Sequence, residues 1–369
     1  MWKRAEKQCG RGECSMVTRK DIAQRAGVSV SVVSRALNNS GYVEEEKKRK
    51  ILMIAEQMGY HPNPVAMSLM TQRTKQILFY CRELENAFNI EVYEGMLEVA
   101  KKHDYMVVVH GKLDFKSVRS IMVDGLILPS EKITDVYLKG AGKNYNLPVV
   151  SASYGDSISF VKSVPIVECD LWEGTRMVLQ YLWDRGHRKI AMIMPYELEN
   201  ANARTCAYKE FMQYELREKM REYYFGISKR GLINDERVMN FMEEKIQDNI
   251  TIPEDFFGKG MLAAEIFRER KCDATAALCF NDDMALGFYR GLKKLGYGIP
   301  EDVSIVGIDG IYARKYADLF LTSLKLNPRM QGARCMEVLL DVLQGKKVKY
   351  VTRIPLCVEE GESVRTIER

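Results

Sequence analysis

The chain has 369 residues, 46% of them hydrophobic and 28% charged, with a net charge of +5. That length allows more than one domain around a sizeable core, and the composition is that of a folded globular protein rather than a disordered one. No run of about 18 uninterrupted apolar residues is present, so no membrane-spanning helix is expected. The opening stretch, MWKRAEKQCGRGECS, is basic but lacks an apolar segment, so no secretory signal is expected and the cytoplasm is the expected compartment. Nine cysteines lie mostly in apolar contexts (Cys81, Cys169, Cys206, Cys279, Cys335), as buried free thiols in a reducing compartment do. Cys9 and Cys14 have no second pair or nearby histidines at zinc spacing, so neither a metal nor a cofactor is expected.

The charge is unevenly spread. Residues 1–75 hold 14 Lys and Arg against 7 Asp and Glu, a balance of +7, which leaves 41 bases against 43 acids in the rest. Either the first fifth of the chain binds a polyanion, or it carries a basic tail of no consequence.

Thr18-Arg19-Lys20-Asp21 is a capping signal for a helix beginning near Arg19, with Ile22, Ala23 and Ala26 inward and Gly27 as its left-handed stop. Ser29 can cap a second helix in which Val33, Ala36 and Leu37 face the core. Its other side pairs Val30 with Ser34 and Ser31 with Arg35, four residues apart: small groups, then one long planar cation. A third helix is expected from about Glu45 to Gly59, with Ile51, Ile54, Ala55 and Met58 inward. This is a helix-turn-helix, or else a small three-helix bundle with no ligand. A second helix with such a face fits the DNA major groove, where valine meets a thymine methyl and arginine bonds guanine. Pro62 to Leu69, PNPVAMSL, predicts a two-turn helix capped by Asn63, with Val65, Ala66 and Leu69 on one face. It is either a simple linker or a segment that folds when held, its leucine an apolar wedge for the minor groove.

VTRKDIAQRAGVSVSVVSRALN followed by GYHPNPVAMSL resembles the headpiece and hinge helix of the lactose-repressor/galactose-repressor (LacI/GalR) transcription factors, and the resemblance runs from about Val17 to Val358. It implies that Val30, Ser31 and Arg35 read bases and that Ser29 and Ser34 face phosphate. Asn38 would end the recognition helix and Leu69 would intercalate; Thr18, Asn63 and Ala66 join the implied DNA-binding set. Three positions depart from the family: Val32 replaces a usual threonine, Glu44 a usual capping serine, and Met67 a common arginine. Residues 1–15 are expected to be a leader or a misassigned start, 16–61 the helix-turn-helix domain, 62–74 the hinge helix and linker, and 75–369 a ligand-binding and dimerisation domain.

From Gln76 onward short apolar runs alternate with amphipathic stretches. Residues 77–81, 105–109, 125–128 and 148–153 read as one series of buried strands, and 189–194, 223–227, 275–280 and 303–308 as a second. Alternation of this kind predicts βαβ units in doubly wound parallel sheets, with ligands beyond the strands' carboxyl ends. The expected fold is therefore a small all-α headpiece plus a two-lobed α/β domain; by resemblance the latter is similar to the type I periplasmic binding-protein fold. Lobe 1 is expected at about 75–163 and 299–326, and lobe 2 at about 164–298 and 327–369. The stretch between His110 and Asp124 is short, which predicts a stunted helix over 115–122.

Strand ends supply the expected effector set: Phe88, Ser130, Asp170, Trp172, Arg204, Asp282 and Asp309. Arginine, aspartate and an aromatic face suit a sugar's hydroxyls and ring. The resemblance places Phe88, Arg204 and Asp282, the last in Asn281-Asp282-Asp283-Met284-Ala285-Leu286-Gly287, on the ligand. Plain alternatives are core packing for Phe88, an inter-lobe salt bridge for Arg204 and a helix cap for Asp282; His187 reads as a loop hydrogen-bonder. The function expected is a ligand-responsive DNA-binding regulator, most often a repressor. It would act as a homodimer on a double-stranded operator, with a small-molecule effector, a sugar before a nucleobase. No leucine heptad follows the last strand, so no tetramer is expected. A transport-type solute-binding protein would leave residues 17–72 unexplained and needs an export signal, and an enzyme would need a nucleophile–base pair, a metal cluster or a phosphate-cradling glycine loop, none of which stands out.

Overall fold

The computed structural model describes residues 17–368 apart from 62, 82–83, 85, 112–114, 116, 144–146, 156–163, 229–231, 233–237 and 239–251. The expected leader at 1–15 lies outside the described residues. The chain divides into two compact units, 1–74 and 75–369.

In the first unit α1 (Arg19–Ala26), α2 (Val30–Asn38) and α3 (Glu45–Gln57) enclose a core of Ile22, Ala23, Ala26, Val33, Ala36, Ile51, Ile54 and Ala55. The capping box forms as its spacing requires. Thr18 N and Oγ1 donate to Asp21 Oδ2 at 2.8 and 2.7 Å, and this bonding holds the Asp21 carboxyl below its usual range. Gly27 ends α1 at φ 68°. Ser29 stands at the start of α2 but makes no capping bond; its hydroxyl lies 2.9 Å from Ser31 Oγ instead. Next comes α4 (Pro64–Thr71), where Asn63 Oδ1 accepts from Val65 N and Ala66 N at 2.9 and 3.4 Å.

The second unit begins with β1 (Gln76–Tyr80), α5 (Ala87–Lys102), β2 (Met106–His110), β3 (Gly125–Leu128), α6 (Glu131–Lys139), β4 (Val149–Ser153) and β5 (Ile166–Glu168). It continues through α7 (Leu171–Asp184), β6 (Ile190–Met194), α8 (Ala203–Leu216), α9 (Met220–Tyr223), β7 (Tyr224–Gly226), α10 (Phe256–Glu269), β8 (Ala276–Cys279) and α11 (Asp282–Lys294). Last come β9 (Ser304–Asp309), β10 (Thr322–Lys325), α12 (Pro328–Leu343), β11 (Val351–Arg353) and β12 (Cys357–Glu359). Among the described residues these strands form two six-stranded sheets, in the orders β11-β5-β4-β3-β1-β2 and β12-β10-β9-β8-β6-β7. Every pairing is parallel except β10 with β12. The buried strands are apolar on both faces, as parallel strands under helices must be.

The lobe boundaries differ from those expected. Strand β5, expected in lobe 2, pairs with β4 in the first sheet. Residues 304–325, expected in lobe 1, are β9 and β10 of the second sheet, where β9 pairs with β8. Helix α12 and β11, expected in lobe 2, return to the first sheet, β11 pairing with β5. Close packing fixes α12 there: a Cβ on Gly332 would lie 1.8 Å from the Val92 carbonyl oxygen of α5. Gln331 secures the same face by donating to the buried carbonyls of Ser153 and Val167 at 2.9 and 3.1 Å.

Two smaller differences follow. The helix expected over 115–122 is a 3-10 turn, Ser117–Ser120, pinned by buried Phe115 and Val118. Of the expected buried thiols, Cys206 is only half-buried, while Cys81, Cys169, Cys279 and Cys335 are buried, none of them in a disulfide among the described residues. Among the described residues no helix is long and apolar enough to cross a membrane.

Candidate functional site

The exposed face of α2 is small-residued at its start. Val30 is 44% exposed, Ser29 and Ser31 are exposed beside it, and one turn on Arg35 is exposed with Nε donating to the Ser31 carbonyl at 3.4 Å. The first turn of α2 contains no acidic residue, so nothing offsets the positive end of its dipole where a phosphate would approach. Ser34 and Asn38 are placed differently: both are half-buried and held by Arg19, whose guanidinium donates to Ser34 Oγ at 3.0 Å and to Asn38 Oδ1 at 3.3 Å. Thr18 is occupied by its capping box and Asn63 by its cap. On α4, Ala66 is exposed and Leu69 is 72% exposed, an apolar side chain with no core to fill.

In the second unit a cavity of about 250 Å³ opens where strands of both sheets end. It is lined by Phe88 and Tyr154 on one side and Tyr196, Phe256 and Phe280 on the other, with Arg204, Asp309, Asn86, Asn89 and Asn281 among them. The rings pack in pairs, Phe88 with Tyr154 at 5.5 Å and Phe256 with Phe280 at 5.1 Å between centroids. Arg204 follows the cap Asn202 on α8, which puts it in the first turn and aims it inward; it is 6% exposed and its guanidinium lies 4.2 Å over Phe280. Its Nε has no hydrogen-bond partner among the described residues, which an incoming acceptor would supply. Asp309 ends β9 at φ 120°, a backbone conformation that side-chain-bearing residues rarely adopt. Burial, then the neighbouring Asp282 carboxyl, push its carboxyl well above the usual range, against the pull of Arg204. In its protonated form it can both donate and accept. Asn86 and Asn281 turn their oxygens inward, to Phe88 N and Met284 N at 2.9 Å each, as helix caps.

Three of the seven expected effector residues therefore meet in this cavity: Phe88, Arg204 and Asp309. Four do not line it. Ser130 caps α6 by accepting from Ile133 N at 3.2 Å, and Asp170 caps α7 by accepting from Glu173 N at 3.1 Å. Trp172 lies under Arg176, 4.8 Å from its guanidinium. Asp282 is fully buried behind the cavity, accepting from Ser323 Oγ at 2.5 Å and Ile311 N at 2.9 Å. Burial raises its carboxyl to about 7 despite these bonds. The aromatic residues Tyr154, Tyr196, Phe256 and Phe280 were not expected. Tyr154 and Phe280 directly follow β4 and β8, so the strand-end rule that found Asp309 would have reached them too.

Residues 18–63 match the bacterial regulatory proteins of the lacI family, and residues 179–364 match the periplasmic binding protein-like domain. The probable HTH-type transcriptional repressor ExuR of Bacillus subtilis (strain 168) is 30% identical over 327 residues, covering 84% of this chain and 86% of that protein. This chain belongs to the LacI family. The HTH-type transcriptional repressor PurR of Vibrio vulnificus (strain CMCP6) is 26% identical over 347 residues, covering 90% and 93% of the two chains. Among solved structures, the lac repressor dimer bound to operator and the anti-inducer ONPF matches with a TM-score of 0.73 at 21% identity, over 95% of this chain and 99% of that one. The LacI headpiece and the two-lobed α/β domain thus lie in one chain, and this family member is a DNA-binding transcriptional regulator with a ligand-binding domain.

Proposed function

We propose that this LacI-family chain is a cytoplasmic repressor that binds a pseudo-palindromic operator as a homodimer, and that a monosaccharide in the 250 Å³ cavity controls the binding. The single observation that supports DNA reading most is the α2 face, where Val30, Ser31 and Arg35 are exposed and free of core duty. A groove about 12 Å wide admits such a face, and Arg35 would take a guanine edge. The relatives' names as repressors favour repression over activation and over catalysis.

The sugar reading rests on the lining. The cavity is small beside the roughly 300–1,000 Å³ of drug-sized sites, which suits one ring. Aromatic faces on opposite walls can sandwich that ring, while Arg204, Asp309 and the asparagine amides bond its edge hydroxyls. A ligand shifts an equilibrium only by its differential affinity for two states, so the effector would favour one arrangement of the lobes. The test uses the purified chain with a panel of monosaccharides and purines: thermal shift selects binders, and anisotropy with a labelled duplex from the chain's own upstream region measures operator affinity. At least one monosaccharide should raise the melting temperature and change operator affinity, and Arg204→Ala should abolish both effects. Stabilisation by purines with none by any sugar would reject the sugar reading while leaving DNA binding standing.

A further inference from the structure

Arg204 is the one cationic side chain among the described residues that line the cavity, and it is 6% exposed. Among the described residues its guanidinium makes no hydrogen bond and no ion pair, and its Nε is buried without an acceptor. What it does meet is the ring of Phe280, 4.2 Å away, which leaves the N–H donors unmatched. A charge taken out of water and left unpaired is strongly destabilising, so a group that supplies its counter-charge gains accordingly. Asp309, the one carboxyl in the lining, forms no ion pair with it. Burial and the Asp282 carboxyl also push Asp309 upward, which favours its protonated form.

The neutral polar groups point the same way. Asn86 and Asn281 each turn Oδ1 to a backbone amide, Phe88 N and Met284 N, at 2.9 Å. Only a carbonyl oxygen can accept there, so each asparagine leaves its N–H2 as its remaining group in the lining. The fixed polar groups of the cavity are therefore mostly donors around a single positive charge.

We infer that the effector is a monosaccharide that carries a carboxylate, and that this carboxylate takes Arg204 side-on through Nε and one Nη. The inference rests on the sugar reading proposed above. A carboxylate is planar and accepts two parallel bonds from a guanidinium, matching both its shape and its charge. A hydroxyl of a neutral sugar accepts without supplying the counter-charge. A phosphate ester brings up to two negative charges to a lining with one cation. The aromatic walls are left to hold the ring, and the asparagine amides to donate to its hydroxyls.

The test is calorimetric titration of the full chain with sugars matched except at C6: glucose with glucuronate, galactose with galacturonate and mannose with mannuronate. Glucose 6-phosphate serves as the phosphate-bearing control. At least one uronate should bind about ten- to a hundredfold tighter than its neutral partner, as hydrogen bonds to a charged group do. Glucose 6-phosphate should bind more weakly than that uronate. Arg204→Met should bring the uronate down to the level of its neutral partner, and Arg204→Lys, which keeps the charge without the fork, should fall between. Without ligand, Arg204→Met should melt at the same temperature as the wild type or higher, because it removes an unpaired buried charge; that readout also shows that the variant folds. The inference is overturned if no uronate binds, if the neutral sugars bind as tightly as their uronates, or if the phosphate ester binds tightest. A ligand-free Arg204→Met chain that melts several degrees lower overturns it too, since Arg204 would then have a structural partner. Binding of neutral sugars without preference for acids leaves the sugar reading standing, whereas purine binding with no sugar binding ends both.

Discussion

Replacing Asp282 by asparagine removes a buried carboxyl that holds its proton more tightly in the folded chain than in the unfolded one. Burial raises it from 3.8 to about 7, against the pull of Ser323 Oγ and the Ile311 amide. Between those values the folded chain carries the proton and the unfolded chain does not, so the wild type loses stability as pH rises through that window. At about 1.4 kcal/mol per unit the full window has a ceiling of roughly 4 kcal/mol. Asparagine mimics the protonated form: its carbonyl can accept from Ile311 N, and its amide can donate to Ser323 Oγ in the same space. Urea unfolding followed by the fluorescence of Trp172 and Trp183, both in the second unit, reads the effect. Near pH 4 the two proteins should be about equally stable, and the asparagine variant should gain on the wild type up to pH 7 and hold that lead at pH 8. Asp309 moves in the same direction, since the Asp282 carboxyl is one cause of its raised position. A stability difference that is independent of pH, or that favours the wild type at pH 8, would refute the reasoning.

Other substitutions test the remaining parts of the account. Arg35→Ala should cost about 1–3 kcal/mol of discrimination between operator and scrambled duplex, read by competition anisotropy. Leu69→Ala removes an exposed side chain, so stability should stay within about 0.5 kcal/mol while specific operator binding weakens; unchanged affinity would remove the wedge role. Gly332→Ala drives a Cβ into the Val92 carbonyl and should destabilise the second unit by about 1–3 kcal/mol or more in the same urea assay.

The helical unit was legible almost residue by residue, because its signals are local. The Thr18–Asp21 box, the Gly27 stop and the inward positions of α1 to α3 depend on neighbours within one or two turns. Ser29 was misjudged as a cap because two hydroxyls two residues apart compete with the backbone for the same bond. The eight strands picked out by apolar runs are present, whereas β5, β10, β11 and β12, three or four residues each, carry no apolar run long enough to mark them. Which sheet each later unit joins was not legible: periodicity marks a strand but says nothing about its neighbour, and it takes the Gly332–Val92 approach and the Gln331 bonds to Ser153 and Val167 to show why α12 returns to the first sheet.

The candidate site was half legible for a related reason. Strand ends pointed to Phe88, Arg204 and Asp309, but an aspartate that opens a helix can face a ligand or turn back into the core. For Asp282 the deciding groups, Ser323 and Ile311, lie 41 and 29 residues away in sequence. Phe256 begins a helix without any local mark of a ligand wall. Arg19 carried no signal at all, since its partners Ser34 and Asn38 lie 15 and 19 residues away.

The central claim, that α2 enters the major groove of a duplex, is tested most directly by titrating the purified chain with its own upstream DNA at low and rising ionic strength. The account predicts tight binding to a site with two half-sites about 34 Å apart, or a multiple of that spacing, and affinity falling linearly with log salt. Failure to bind any duplex at low salt, with and without monosaccharides and purines, would contradict it.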